Sequence, residues 1–203
     1  MKTKITHIGS ITTWSPENNQ LITIKDADIL IEDDKISKIS QNILGADEEI
    51  NVDGALITPG FVDSHTHPVF FGNRAEEFNM RIQGKTYEEI AASGGGILSS
   101  ILNVRKVSED RLFDESLERI NFFLSHGTTT IEAKSGYGLT TDDELKSLRV
   151  IKRLNDASRL DIISTFMGAH AFPREYKDDH DAYIDLICRE MIPAIAKEKL
   201  AEY

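Results

Sequence analysis

The spacing of apolar residues changes once along this chain, near Leu56, and that change constrains the fold more than any other feature. Before it, apolar residues recur at every second position in short segments such as ITHIGSITTW and ADILIEDDKISKISQ, the latter interrupted by the turn-forming Asp33 and Asp34. Residues 1–55 therefore read as a small antiparallel β unit. After it, strand-length apolar runs alternate with helix-length amphipathic segments. The runs are ALITPGFVD at 55–63, GTTTIEAKS at 127–135 and LDIISTFMG at 160–168. Alternation of this kind demands parallel strands joined by right-handed crossovers, so residues 56–203 are expected to form an α/β unit, either a doubly wound sheet or part of a (β/α) barrel.

The helices carry their own punctuation. One spans 109–125, with Leu112, Phe113, Leu117, Ile120 and Leu124 on one stripe and Gly127 as its stop. The next is expected to start at Thr141, paired with Glu144 in a T-x-x-E capping box, and to run through Leu145, Leu148, Ile151 and Leu154. A third covers 182–201, where Pro193 should kink or divide it. The long stretch between the first two strands is expected to hold an active-site loop as well as its helix.

Composition excludes several classes of function. With 23 basic against 34 acidic residues, the net charge of -11 repels phosphate backbones and anionic lipid heads, so no nucleic-acid or membrane partner is expected. The opening residues lack the apolar core of a signal peptide, and no uncharged apolar run is long enough to span a bilayer, which leads us to expect a cytoplasmic protein. Cys188 stands alone, so no internal disulfide can form, and it reads as a small buried hydrophobe.

Chemistry concentrates after the strands. His65 and His67 in DSHTHPVFFGNR follow the first parallel strand, and side chains at i and i+2 of extended backbone leave one face, close enough to share an ion. The tripeptide alone is a modest signal. Its position at the carboxyl end of a strand, where parallel α/β folds collect function, strengthens it. Tyr137 lies just beyond the second strand between Gly136 and Gly138, and His170 just beyond the third. A glycine-flanked tyrosine covering the core and a packed structural histidine are equally good local readings of these two. Arg74 offers a planar fork to a substrate carboxylate, or else makes a surface ion pair with Glu76 or Glu77. His7, His126 and His180 read as structural or solvent-facing, and Glu132 with Lys134 as a buried ion pair. GKT at 84–86 lacks the earlier glycine of a phosphate loop, position 79 being asparagine, and SGGGIL at 93–98 reads as a flexible turn or a loop over the site. No G-x-S-x-G elbow exists for a serine nucleophile.

LITPGFVDSHTHP resembles the first barrel strand of the amidohydrolase superfamily, and HTHPVFFGNRAEEF, SGYGL and GAHAFPREYK are similar to the imidazolonepropionase family within it. The resemblance runs from about residue 50 to the end. It implies a (β/α)8 TIM-barrel fold, of which only the first three or so βα units are present, beside a small N-terminal antiparallel β-sandwich domain. It also implies a metal-dependent hydrolase that opens 4-imidazolone-5-propanoate with water to give N-formimidoyl-L-glutamate. His65 and His67 would hold zinc or iron, while Arg74, Tyr137 and His170 would contact a small substrate with a carboxylate arm. The third metal histidine, the metal aspartate and the catalytic residue have no counterpart here and would lie beyond residue 203. Family members are about twice this length, so pairing with a C-terminal half, or a homo-oligomer such as a dimer, is expected to cover the open edge of the third strand. Another amidohydrolase, a deaminase or hydantoinase-like enzyme, and a silent fragment serving as a binding module remain as alternatives.

Overall fold

A computed structural model describes residues 1–92 and 94–203, so the serine that opens SGGGIL lies outside the described residues. The chain divides into two compact units, Met1–Gly60 and Phe61–Tyr203.

The first unit contains seven strands: β1 (Lys2–Thr6), β2 (Ser10–Ser15), β3 (Gln20–Ile24), β4 (Asp28–Glu32), β5 (Lys35–Ser40), β6 (Glu48–Asn51) and β7 (Leu56–Ile57). They form two sheets, ordered β5-β4-β1-β6 and β3-β2-β7. Asp33 and Asp34 make the two-residue turn between β4 and β5, opposing Glu32 with Lys35, and Asp33 takes the left-handed φ of 57° that such a turn needs. The unit is not wholly antiparallel. β6 runs parallel to β1 and β7 parallel to β2, because each returns beside its partner after a long excursion instead of through a hairpin. Ile8, Ile11, Ala27 and Ile29 form its small core.

The second unit holds a three-stranded parallel sheet, ordered β10-β9-β8, from β8 (Phe61–Thr66), β9 (Thr128–Lys134) and β10 (Asp161–Thr165). Between β8 and β9 the expected long loop is largely helical: α1 (Ala75–Ile82), α2 (Tyr87–Ala92), α3 (Ile97–Lys106) and α4 (Glu109–Ser125). Ser108 caps α4 by accepting from the Arg111 N–H, and Gly127, at φ 84°, supplies the left-handed stop. The α4 stripe is as expected: Leu112 and Ile120 are fully buried, with Phe113, Leu117 and Leu124 packed beside them.

α5 (Thr141–Ala157) follows β9, and its cap lies one residue earlier than expected. Thr140, not Thr141, accepts from the Asp143 N–H at 3.2 Å, which releases Glu144 from any capping role. After β10, α6 (His180–Leu186) passes through a π-helical segment at Ile187–Met191 into α7 (Ile192–Glu198). The Ile192 N–H reaches back to the Ile187 carbonyl, and this local widening absorbs Pro193 without dividing the helix. Cys188 sits on this segment and is exposed, not buried as expected.

The outer edge of β10 is covered at its carboxyl end. The Phe166 N–H donates to the Tyr203 carbonyl and the Glu202 N–H to the Ser164 carbonyl, so the last residues already lie alongside it. β8 pairs only with β9 among the described residues, and Phe61 and Val62 on it are exposed. No described helix is long and apolar enough to cross a membrane.

Candidate active site

The register of the parallel sheet decides which side chains meet. Thr66 lies opposite Ala133, and both are buried against the helix-covered face. Because side chains alternate, His65 and His67 project from the opposite face, with Glu132 and Lys134 of β9. The Thr66 hydroxyl donates to the Glu132 carbonyl at 2.6 Å, tying the end of β8 to β9. Glu132 and Lys134 form the expected ion pair, though partly exposed and not buried, and Thr165 Oγ1 adds a hydrogen bond to Glu132 at 2.8 Å. Those two donors hold the Glu132 carboxyl below its usual range.

Three of the residues singled out in the sequence pack around His67. Its ring centroid is 5.7 Å from that of His65, nearly edge-on, and 5.3 Å from that of Tyr137. His170 stacks on it at 4.8 Å. Tyr137 and His170 also touch, at 5.5 Å. Burial, followed by the neighbouring His170 and His65, lowers the His67 pKa to about 4, with the Ser135 backbone opposing the shift. His67 is thus neutral at physiological pH, and its Nδ1 is a buried nitrogen without a hydrogen-bond partner among the described residues.

His170 Nδ1 lies 3.1 Å from the Gly136 carbonyl. A carbonyl only accepts, so Nδ1 carries the proton, and in the neutral ring Nε2 is left with its lone pair. Burial raises the Tyr137 phenol above its usual pKa, while the Arg74 charge pulls it the other way. Tyr137 therefore stays a protonated donor.

Arg74 stands at the N-cap of α1, and its Nε and Nη2 both reach Glu77 Oε2, at 2.7 and 2.6 Å. The ion pair allowed by the sequence is present, and the Arg74 side chain remains 45% exposed, with Glu77 holding only the Nε and Nη2 edge of the fork. Glu77 also accepts from the Gly96 N–H at 3.0 Å, which anchors the start of α3. Of the other histidines, His7, His126 and His180 are exposed; His126 packs on Phe122 and His180 on Phe172.

Two residues with structural weight were missed. Arg119 of α4 donates to the carbonyls of Pro68, Phe70 and Gly72 while stacking 3.6 Å above the Phe70 ring, and Glu115 accepts from the Gly72 N–H at 2.9 Å. They hold the segment leading from His67 to Arg74. Their i, i+4 spacing on a predicted helix was legible, but nothing local said that they face a loop. His65 and His67 leave the same face of β8, with ring centroids 5.7 Å apart. Among the described residues, no group of three or more His, Cys, Asp or Glu side chains gathers as a metal site.

No protein-family model matches the chain. It is 48% identical over 199 residues to the imidazolonepropionase of Brevibacillus brevis, an alignment covering 91% of this chain and 46% of that one. The Christiangramia forsetii imidazolonepropionase is 49% identical over 191 residues, covering 92% and 46%. That of Caulobacter vibrioides is 54% identical over 157 residues, covering 77% and 39%. The chain spans about half the length of these curated relatives. Among solved structures, a triazine hydrolase from Arthobacter aurescens superposes with a TM-score of 0.67 at 16% identity, over 97% of this chain and 42% of the other. An atrazine chlorohydrolase from Arthrobacter aurescens complexed with zinc and atraton gives 0.55 at 14% identity, over 80% and 35%. These likenesses are of fold.

Proposed function

The chain matches the N-terminal half of imidazolonepropionases, and we propose that it carries part of the active site of such a hydrolase, one that opens the ring of 4-imidazolone-5-propanoate with water to give N-formimidoyl-L-glutamate. The observation that carries the reading is the His67 cluster, where His65, Tyr137 and His170 surround one neutral imidazole whose buried nitrogen lacks a partner.

In this reading His65 and His67 hold a divalent cation, zinc or iron, and the orphaned His67 Nδ1 fits a donor that must be deprotonated to bind. When bound, such an ion supplies Lewis acidity and brings the pKa of a water it holds toward neutrality. The rest falls to the chain's own side chains. Arg74 takes the propanoate arm with its open edge, which fixes the ring's orientation far from the reacting carbon. Tyr137 donates its phenolic proton to a ring heteroatom or carbonyl oxygen, and His170 offers the Nε2 lone pair to a ring N–H. The third and fourth metal ligands and the proton donor belong to the second half of the molecule.

The finer fold reading goes with this function. Residues 56–203 are the first βα units of an eight-stranded barrel, residues 1–55 are part of a small β-sandwich domain, and the β8 edge is covered by the remaining half or by another copy. A metabolic enzyme of this kind works in the cytoplasm on a small molecule. The absence of a three-donor cluster among the described residues favours one second reading, a metal-free binding or assembly module.

One experiment separates the two. The chain, alone and mixed with a separately expressed C-terminal half of a relative, is analysed for bound metal and for consumption of 4-imidazolone-5-propanoate. Stoichiometric zinc or iron with turnover in the mixture supports the hydrolase. Neither metal nor turnover in any combination overturns it in favour of the module.

A further inference from the structure

Charged side chains grip the loop that carries Tyr137 from two sides. Glu144, in the first turn of α5, is fully buried. Its Oε1 accepts from the N–H groups of Gly138 and Leu139, both at 2.8 Å, and its Oε2 from the Gly136 N–H at 3.1 Å. The carbonyls of the same three residues are held as well. Gly138 and Leu139 accept from Arg105 Nε and Nη2 at 2.8 and 3.3 Å, and Gly136 accepts from His170 Nδ1. Arg105, near the end of α3, also pairs with Glu175 in the segment that follows His170.

The sequence around the grip is built for it. A Cβ at Gly136 would meet the Met167 carbonyl at 2.7 Å and the His170 Cβ at 2.9 Å, and Gly136 sits at φ +108°. Leu139 is held at φ 55°, a strained conformation for a residue with a side chain. A buried carboxylate is costly unless fully bonded, and this one is bonded to three backbone donors that would otherwise be orphaned. A carboxylate on the N–H side and a guanidinium on the carbonyl side leave these peptides little freedom to rotate.

We propose that Glu144 and Arg105 are positioning residues: they lock the peptides of residues 136–139 so that Tyr137 and His170 stand against His67. The proposal rests on the reading above that Tyr137 and His170 face substrate. Glu144 acts through the backbone on both sides of the Gly136 Cα: it holds the N–H of the 135–136 peptide, and the carbonyl of the adjoining 136–137 peptide holds the His170 ring.

The test is Glu144→Gln, in which the amide oxygen can still serve Gly138 and Leu139 while its NH2 meets the Gly136 N–H donor to donor. Three readouts are taken: the ring resonances of Tyr137 and His170, the core methyl resonances of Leu148 and Ile151, and the Kd for imidazole-4-propanoate, a stable carboxylate-bearing heterocycle. We expect unmoved core methyls, displaced Tyr137 and His170 resonances, and Kd raised about tenfold. Arg105→Lys, which keeps the charge but cannot span two carbonyls, should move the same resonances, and Arg105→Gln should move them further. Ring resonances that stay in place in folded Glu144→Gln would overturn the proposal. So would displaced rings with an unchanged Kd, or loss of folding in both the Glu144 and Arg105 variants, since the clamp would then hold the whole unit and not the site. If the unsubstituted chain does not bind the probe, the ring resonances alone decide the positioning, and the functional reading is decided separately by turnover in the mixture with a C-terminal half.

Discussion

The His170 imidazole lies flat against that of His67, with ring centroids 4.8 Å apart and planes within 16° of parallel. A second positive charge in such a stack is costly, and His67 is driven to stay neutral first by burial and then by repulsion from its neighbour. The Gly136 carbonyl holds His170 Nδ1, so the stack is oriented by backbone.

Stability should therefore depend on pH through His67. Its folded pKa of about 4 lies below the 6.5 of an unfolded histidine, so between these values the unfolded chain binds a proton that the folded chain refuses. The contribution is complete above pH 6.5, declines as pH falls toward 4, and is lost below it. After allowance for partial solvent screening, about 1–2 kcal/mol is at stake. Urea unfolding of the metal-free chain at pH 7 and pH 4.5, compared with His67→Gln, should show a smaller pH loss in the variant. Equal losses would remove the assignment.

Arg74 and Glu77 make a pair of opposed predictions. Arg74→Lys should weaken binding of imidazole-4-propanoate about tenfold, because an ammonium cannot copy a forked contact. Glu77→Gln should strengthen it, since the carboxylate that now neutralises the guanidinium from its Nε and Nη2 edge is gone. Isothermal titration of both variants checks this, and a change of the same sign in the two would contradict the role given to Arg74.

Metal retention gives a third check. Loaded with zinc and then dialysed, the chain should keep metal less firmly than a complete four-ligand site would, because among the described residues no group of three or more His, Cys, Asp or Glu side chains gathers as a metal site. His65→Ala or His67→Ala should take bound zinc to background by mass spectrometry. Retention in both variants would mean other ligands.

How much of this was legible depends on the range over which each feature is encoded. The α4 stripe and its Gly127 stop are local patterns, and both are present. The period change near Leu56 marked the passage from sheet-only to alternating structure, yet the parallel pairing of β6 with β1 spans more than forty residues and leaves no local trace. Glu144 was misread because a T-x-x-E box and its T-x-x-D neighbour differ by one residue, and only the fold reveals that Thr140 with Asp143 makes the cap. Arg105, on another helix, gave no signal at all, since its loop partners lie more than thirty residues away. At the site, the positions of His65 and His67 after a strand were readable, whereas the stacking of His170 on His67 needs the register of three strands.

Gly138 offers the strictest test of the loop geometry, because backbone propensity and packing predict opposite signs there. Its φ is not in the left-handed region, so Gly138→Ala considered alone should stabilise by restricting the unfolded chain, typically by less than about 1 kcal/mol. But the added Cβ would lie 2.5 Å from the Asp143 carbonyl carbon and 2.6 Å from the Glu144 nitrogen, both backbone atoms of the first turn of α5. Neither can retreat without pulling Glu144 from its three amides, so the clash should win and destabilise the unit by about 2–3 kcal/mol. Gly84→Ala is the matched control: at φ +91° with nothing within 4 Å of the new methyl, it should cost only the strain, about 1 kcal/mol. Chemical denaturation of the two variants should therefore rank Gly138→Ala as the more damaging. The reverse order would mean that α5 does not approach the Tyr137 loop as closely as these distances require.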